Sequence, residues 1–166
     1  DRANINQVYI HVLLDGRDVA PQSAQIYLQE LEQLLHEINR NTKRRYKIAS
    51  GGGRMTITMD RYGADWGMVE AGWKPHVCGE GNIFPSALDA LNTFRQANPN
   101  ICDQDLPAFV VGENGQSVGP IQDGDAVITF NFRGDRMLEL CHAFAHKEIK
   151  EFIKTKSPQV LSLIHI

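Results

Sequence analysis

The chain is short of the features that mark a disulfide scaffold, a membrane span or a polymer-binding surface. Its three cysteines, Cys78, Cys102 and Cys141, lie far apart and form no CxxC pair. Neither a disulfide framework nor a four-thiolate zinc site is expected, and a reducing, cytoplasmic setting is the default. No apolar run is long enough to cross a bilayer, and the N-terminus lacks the basic-then-apolar layout of a signal peptide. A net charge of −3 and a pI near 6.1 exclude the strongly basic face that a nucleic acid or an anionic membrane requires. The glycine motifs of nucleotide sites are missing too, since neither GxGxxG nor a GK[ST] ending occurs. What is present, 42% hydrophobic and 22% charged residues over 166 positions, suits one globular domain.

Against this mildly acidic background the arginines are unevenly placed. Five of the ten fall in three short motifs rich in Gly and Asp: Asp15-Gly16-Arg17-Asp18, the run from Gly51-Gly52-Gly53-Arg54 to Met59-Asp60-Arg61, and Asn131-Phe132-Arg133-Gly134-Asp135-Arg136. No lysine lies inside any of them. The guanidinium fork grips a carboxylate or phosphate through two parallel hydrogen bonds, whereas lysine offers a point charge. Each motif follows a stretch that reads as a strand, so the three strand ends are expected to share one pocket for a small, multiply charged anion.

The pattern predicts an α/β domain with a mixed, mainly parallel sheet flanked by helices. Val8 to Leu14 reads as a buried strand, and Ala24, Leu28, Leu31, Leu35 and Ile38 form one helical stripe behind Pro21. Arg45 to Ser50 is the next strand, parallel to the first through a crossover. Trp66, Val69 and Trp73 mark a second helix, and Ile83 to Ala97 a third, closed by Pro99. Strands are expected over Pro107 to Gly112 and Ala126 to Phe132, with a hairpin-like turn at Glu113-Asn114-Gly115. Gly134 to about Lys154 reads as a last helix.

Each motif admits two readings. In the first, Arg17 grips an oxyanion and Asp18 accepts a hydroxyl proton; in the second, Asp15 and Asp18 pair with Arg17 to fix a turn. The glycine triplet permits a nest of amide N–H groups around an anion, or a turn alone. Arg61 reaches the same pocket as Arg54 only if the residues between them form a loop, because a strand would place the two on opposite faces. Arg133 and Arg136, three apart, share one face if Gly134 opens a helix, and two cations at a helix N-terminus call for an anionic partner. His142 and His146 are spaced for a metal but lack a third ligand nearby, so they read as surface residues. Ser50 has no histidine placed by sequence to activate it.

Taken together, HVLLDGRDV, ASGGGRMTITMDRYGADW, DGDAV and ITFNFRGDRM resemble, in order and spacing, the cofactor-independent (2,3-bisphosphoglycerate-independent) phosphoglycerate mutases. The GGGRM-T-TMDRY form is similar to the plant and trypanosomatid branch. The resemblance runs from about Val8 to Met137 and implies an enzyme that interconverts 3-phosphoglycerate and 2-phosphoglycerate in glycolysis and gluconeogenesis. It further implies two domains. One is phosphatase-like, with a serine nucleophile and two divalent ions, typically manganese; the other is inserted into it and holds the glycerate.

This chain matches the inserted, substrate-holding domain, assigned to residues 1–156, with 157–166 expected as a non-native or disordered tail. By resemblance, Arg17, Arg54, Arg61, Arg133 and Arg136 hold carboxylate and phosphate, and Asp18 serves the glycerate hydroxyls as proton acceptor and donor. The metal ligands, the serine, a lysine of the other domain and a histidine of an upstream DGGVHS segment are not in this sequence, so the polypeptide alone is expected to be inactive. No 2,3-bisphosphoglycerate is implied, and a monomer is expected. Gly134 stands where many members have alanine. The alternatives are a non-catalytic phosphometabolite-binding module and a purely structural domain with internal Arg–Asp pairs.

Overall fold

The computed structural model describes residues 5–59 and 61–165. Strand β1 (Gln7–Leu14) leads into helix α1 (Ala24–Asn41), which returns the chain to β2 (Arg45–Gly53), parallel beside β1. Helix α2 (Trp66–Trp73) opens on Asp65, whose carboxylate accepts from the Met68 amide, and runs on into a wider turn over Lys74–Cys78. Strand β3 (Ile83–Phe84), helix α3 (Ala87–Ala97), strands β4 (Phe109–Glu113), β5 (Gln116–Ser117) and β6 (Ala126–Thr129), helix α4 (Leu138–Ala145) and strand β7 (Ser162–His165) follow.

The main sheet is mixed, in the order β1-β2-β4-β3, with β5 on the side of β4. β1/β2 and β3/β4 are parallel, while β2/β4 and β4/β5 are antiparallel. The Asn114-Gly115 turn joins β4 to β5 as the sequence suggests. β6 pairs in parallel with β7, which lies within the segment set apart as a tail. Leu14 belongs to the apolar core under α1 and α3, and Leu13 packs with the second core, under α2 and α4. That is the alternation a strand buried on both faces must show.

Two expected helices are shorter than the sequence suggests. The third begins at Ala87, not Ile83, because Pro85 biases Phe84 towards extended backbone and the Ser86 hydroxyl caps the Asp89 amide at 3.0 Å. The last is confined to Leu138–Ala145, after a single tight turn over Gly134–Arg136. Beyond it the chain folds back so that Phe152 packs 6.1 Å from Trp73, and Lys154 Nζ donates to the Ala143 carbonyl at 2.8 Å, closing the helix end.

Gly51, Gly52 and Gly53 lie in β2 and serve packing, not an anion nest. Their surroundings are occupied: a Cβ on Gly53 would sit 2.2 Å from the Gln104 carbonyl oxygen, and the Gly53 and Arg54 amides are spent on the Leu106 and Leu14 carbonyls. Gly53→Ala is therefore expected to destabilise the fold by about 2–3 kcal/mol, measured as a urea midpoint. A midpoint equal to that of the wild type would show that residues 104–106 move aside freely.

Candidate functional site

The end of β1, the turn after β2 and the segment after β6 meet at one cleft of about 290 Å³, walled by Leu13, Asp15, Asp18, Arg54, Met59 and Arg133, with Asn131 and Phe132. Asp15 organises its inner wall. Its carboxylate accepts from the Asp18 amide at 3.0 Å and from Arg54 Nη1 at 2.9 Å. Partial burial alone would raise the Asp15 pKa. The Arg54 guanidinium and the Asp18 and Arg17 amides outweigh that and hold it below the usual carboxylate range. Arg54, only 7% exposed, is thus fixed in place before any ligand arrives.

Asp18 is placed differently. Its Oδ2 lies 3.5 Å from Arg54 Nη1 and 4.0 Å from Arg133 Nη2. These separations are too long for strong hydrogen bonds, so both guanidinium groups keep donors for an incoming oxyanion. A carboxylate standing between two arginines at a cleft mouth can bind a hydroxyl of the same ligand whose anionic groups the arginines hold.

The remaining sequence candidates turn elsewhere. Residues 55–59 do form a loop, yet Arg61 Nε pairs with Asp135 at 2.8 Å and its guanidinium lies over the Tyr62 ring at 4.8 Å. Arg136 Nη1 donates to the Met59 carbonyl at 2.9 Å, from beneath the cleft and not within it. It does so because Gly134–Arg136 is a tight turn ahead of α4, which separates the directions of Arg133 and Arg136. Arg17 is exposed at the rim. Asp60 lies outside the described residues. His142 and His146 lie with ring centres 4.4 Å apart and their planes tilted by 48°. Among the described residues no group of three or more His, Cys, Asp or Glu is arranged to hold a metal ion, and no helix is long and apolar enough to cross a membrane.

Sequence reasoning missed a buried polar cluster behind the loop. Ser50 does have histidine partners: its Oγ lies 2.7 Å from His11 Nδ1 and 2.7 Å from His76 Nδ1. His76 Nε2 is in turn 3.0 Å from Thr58 Oγ1. Burial depresses both rings, His11 to about 4 and His76 well below its ordinary value, so both are neutral at pH 7. His11 and Ser50 are register partners on β1 and β2, a relation visible once the strands are aligned, but His76 carries no such signal.

Known proteins with this pattern agree with each other. The family model described as "BPG-independent PGAM N-terminus (iPGM_N)" matches residues 1–166. A probable 2,3-bisphosphoglycerate-independent phosphoglycerate mutase of Leptospira interrogans serogroup Icterohaemorrhagiae serovar copenhageni is 54% identical over 157 residues, 95% of this chain and 28% of the relative. The 2,3-bisphosphoglycerate-independent phosphoglycerate mutase of Trypanosoma brucei brucei is 47% identical over 155 residues, 93% of this chain and 28% of its own length. That of Prunus dulcis is 46% identical over 156 residues, 93% of this chain and 32% of its own.

A crystal structure of Leishmania mexicana phosphoglycerate mutase at low cobalt concentration superposes with a TM-score of 0.91 and 42% identity, covering 96% of this chain and 29% of that one. The chain therefore spans roughly three-tenths of the length of the relatives it matches. On sequence and fold together, it belongs to the family of 2,3-bisphosphoglycerate-independent phosphoglycerate mutases.

Proposed function

We propose that residues 1–156 are the glycerate-holding domain of an enzyme that interconverts 3-phosphoglycerate and 2-phosphoglycerate through a phosphoserine intermediate. The observation that carries this reading is the placement of Asp18 between Arg54 and Arg133 at the cleft mouth. In this scheme the phosphoryl group passes to a serine supplied by the rest of the longer protein. Asp18 enters the cycle in its acid form and gives that proton to the hydroxyl being uncovered, and the arginines hold the glycerate while it reorients. Asp18, now a carboxylate, takes the proton of the other hydroxyl as that oxygen attacks the phosphoserine, which restores the acid form. Retention by the clamp makes the reaction an internal transfer with no need of added 2,3-bisphosphoglycerate.

Arg54 and Arg133 are the ready donors of this clamp. Arg17 at the rim and Arg61 beside Asp135 join it when a ligand draws them in, and Arg136 serves it from below. Divalent ions, manganese in the reading made from the sequence, would belong with the serine half. Among the described residues none is arranged to hold such an ion. A cytoplasmic, monomeric enzyme of glycolysis and gluconeogenesis is the setting that follows.

Titration calorimetry of the chain with 3-phosphoglycerate tests the reading. Arg133 is half exposed, and among the described residues the ion pair of its side chain is the long contact with Asp18. Arg133→Ala is expected to weaken binding roughly tenfold to a hundredfold, the size of a lost charge-assisted hydrogen-bond pair, while leaving thermal stability unchanged. Unchanged affinity with lowered stability would mean that the Arg–Asp pairs are structural and would overturn the proposal.

A further inference from the structure

Behind the cleft, four polar side chains run in single file through apolar surroundings, and the phosphoryl-transfer scheme uses none of them. His11 Nδ1, Ser50 Oγ, His76 and Thr58 Oγ1 are linked at 2.7, 2.7 and 3.0 Å. Ser50, His76 and Thr58 are all buried. With both rings neutral, a single proton direction satisfies every linked atom: Thr58 O–H to His76 Nε2, His76 Nδ1–H to Ser50, and Ser50 O–H to His11 Nδ1, or the reverse throughout. Loss of any one hydroxyl leaves a buried nitrogen without its partner.

The far end of the file is the informative one. Thr58 is β-branched yet holds φ +67°, a left-handed conformation that such residues avoid. Three contacts impose it. Its amide donates to the Met68 carbonyl at 2.7 Å, its hydroxyl meets His76, and its side chain is wedged against Gly72 of α2, where an added Cβ would fall 1.9 Å from Thr58 Oγ1. The next residue, Met59, lines the cleft with its side chain and offers its carbonyl to Arg136. The file thus runs from the sheet interior, through Thr58, to the backbone on which the cleft floor and Arg136 are set.

We propose that the His11–Ser50–His76–Thr58 file is a positioning device that fixes the 55–59 loop, and with it the seats of Arg54 and Arg136. None of the four is a catalytic residue: each acts on the ligand only through the loop. The fixing of the loop stands on geometry alone. Its effect on ligand affinity rests on the reading of the cleft given above.

Thr58→Val keeps shape and branching but removes the hydroxyl, and Thr58→Ser keeps the hydroxyl. Hydrogen exchange is expected to quicken at least about tenfold at amides 55–59 in Thr58→Val, with β2 and β4 unchanged, and to stay within about twofold of wild type in Thr58→Ser. Affinity for 3-phosphoglycerate should follow the same order, about tenfold weaker for the valine variant and restored in the serine variant. Wild-type exchange in the Thr58→Val loop would overturn the proposal, as would an increase spread evenly over the sheet, which marks general destabilisation. If the loop loosens as expected but wild-type chain takes up no 3-phosphoglycerate, the positioning role stands and the substrate reading fails.

Discussion

Asp103→Ala is expected to cost about 3–5 kcal/mol of folding stability, the scale on which a buried ion pair broken from one side destabilises a protein. Asp103 is 1% exposed and works in two directions at once. One oxygen accepts from the Ala24 amide at 2.7 Å and so caps α1, whose own N-cap residue Ser23 makes no side-chain cap; the other accepts from Arg95 Nη2 at 2.7 Å. Alanine would strand the first amide of α1 and leave the Arg95 charge, 17% exposed, with the 3.3 Å contact to Gln25 as its remaining side-chain partner among the described residues.

The Asp103 amide also donates to the Pro21 carbonyl at 2.7 Å, and the neighbouring Cys102 thiol reaches the Gly16 carbonyl. The turn that carries Arg17 and Asp18 therefore hangs from this segment. For a domain of this size the melting temperature should fall by roughly 10 °C. Asp103→Asn, which can still accept from Ala24, should lie between the two. An unfolding free energy from urea titration within about 0.5 kcal/mol of wild type would show that the Arg95 pair and the cap contribute nothing net.

The parts of this fold and site that were legible in the sequence are those set by local spacing. The Ala24–Leu28–Leu31–Leu35 stripe, the apolar strand ending at Leu14 and the Asn114-Gly115 turn depend on neighbours in the chain, and each appears where the pattern put it. The meeting of Asp18 and Arg54 was legible for a similar reason, since they follow the adjacent parallel strands β1 and β2, whose ends come together. Arg133 joins them from the segment after β6, a strand that belongs to a separate two-stranded sheet. Arg61 and Arg136 diverge because of side-chain direction: a partner at Asp135 and a carbonyl at Met59 draw them away, and no spacing rule encodes either choice. The early start assigned to α3 overlooked Pro85 and Ser86, which were there to be read. The early end of α4 was not readable, because it depends on Phe152 reaching Trp73 across the second core. The glycine triplet misled for the converse reason: the close approach of residues 104–106 to Gly53 comes from a segment roughly a third of the chain away.

Acid should loosen the protein from about pH 6.5 downwards through its buried neutral histidines. A histidine that is buried neutral binds fewer protons in the folded state than in the unfolded one between its two pKa values. Stability therefore rises with pH across that interval and is lost as pH falls through it. For His11 the interval runs from the unfolded value of 6.5 down to about 4, which corresponds to a loss of roughly 3 kcal/mol by pH 4. His76 shifts in the same direction, first through burial and then through the repulsion that a charge on His11 would add, so protonating either ring makes the other harder to protonate.

The two rings face each other edge-on at 5.1 Å, with Ser50 and Thr58 as their hydrogen-bond partners. The cavity of about 370 Å³ on which His11, Thr58 and His76 border is otherwise lined by Ile, Leu, Val, Met and Phe with Thr129 and Asn131, and no carboxylate among the described residues faces it to stabilise an imidazolium. Urea midpoints should accordingly be level above pH 7 and fall steadily from pH 6.5 to 4.5. Asp15 and Glu113, held below the usual carboxylate range, add their own loss only at lower pH. His11→Gln should flatten the fall between pH 6.5 and 4.5. A wild-type midpoint that stays level across that window would mean the rings take up protons without disturbing the core, and would sink the account of them as obligately neutral groups.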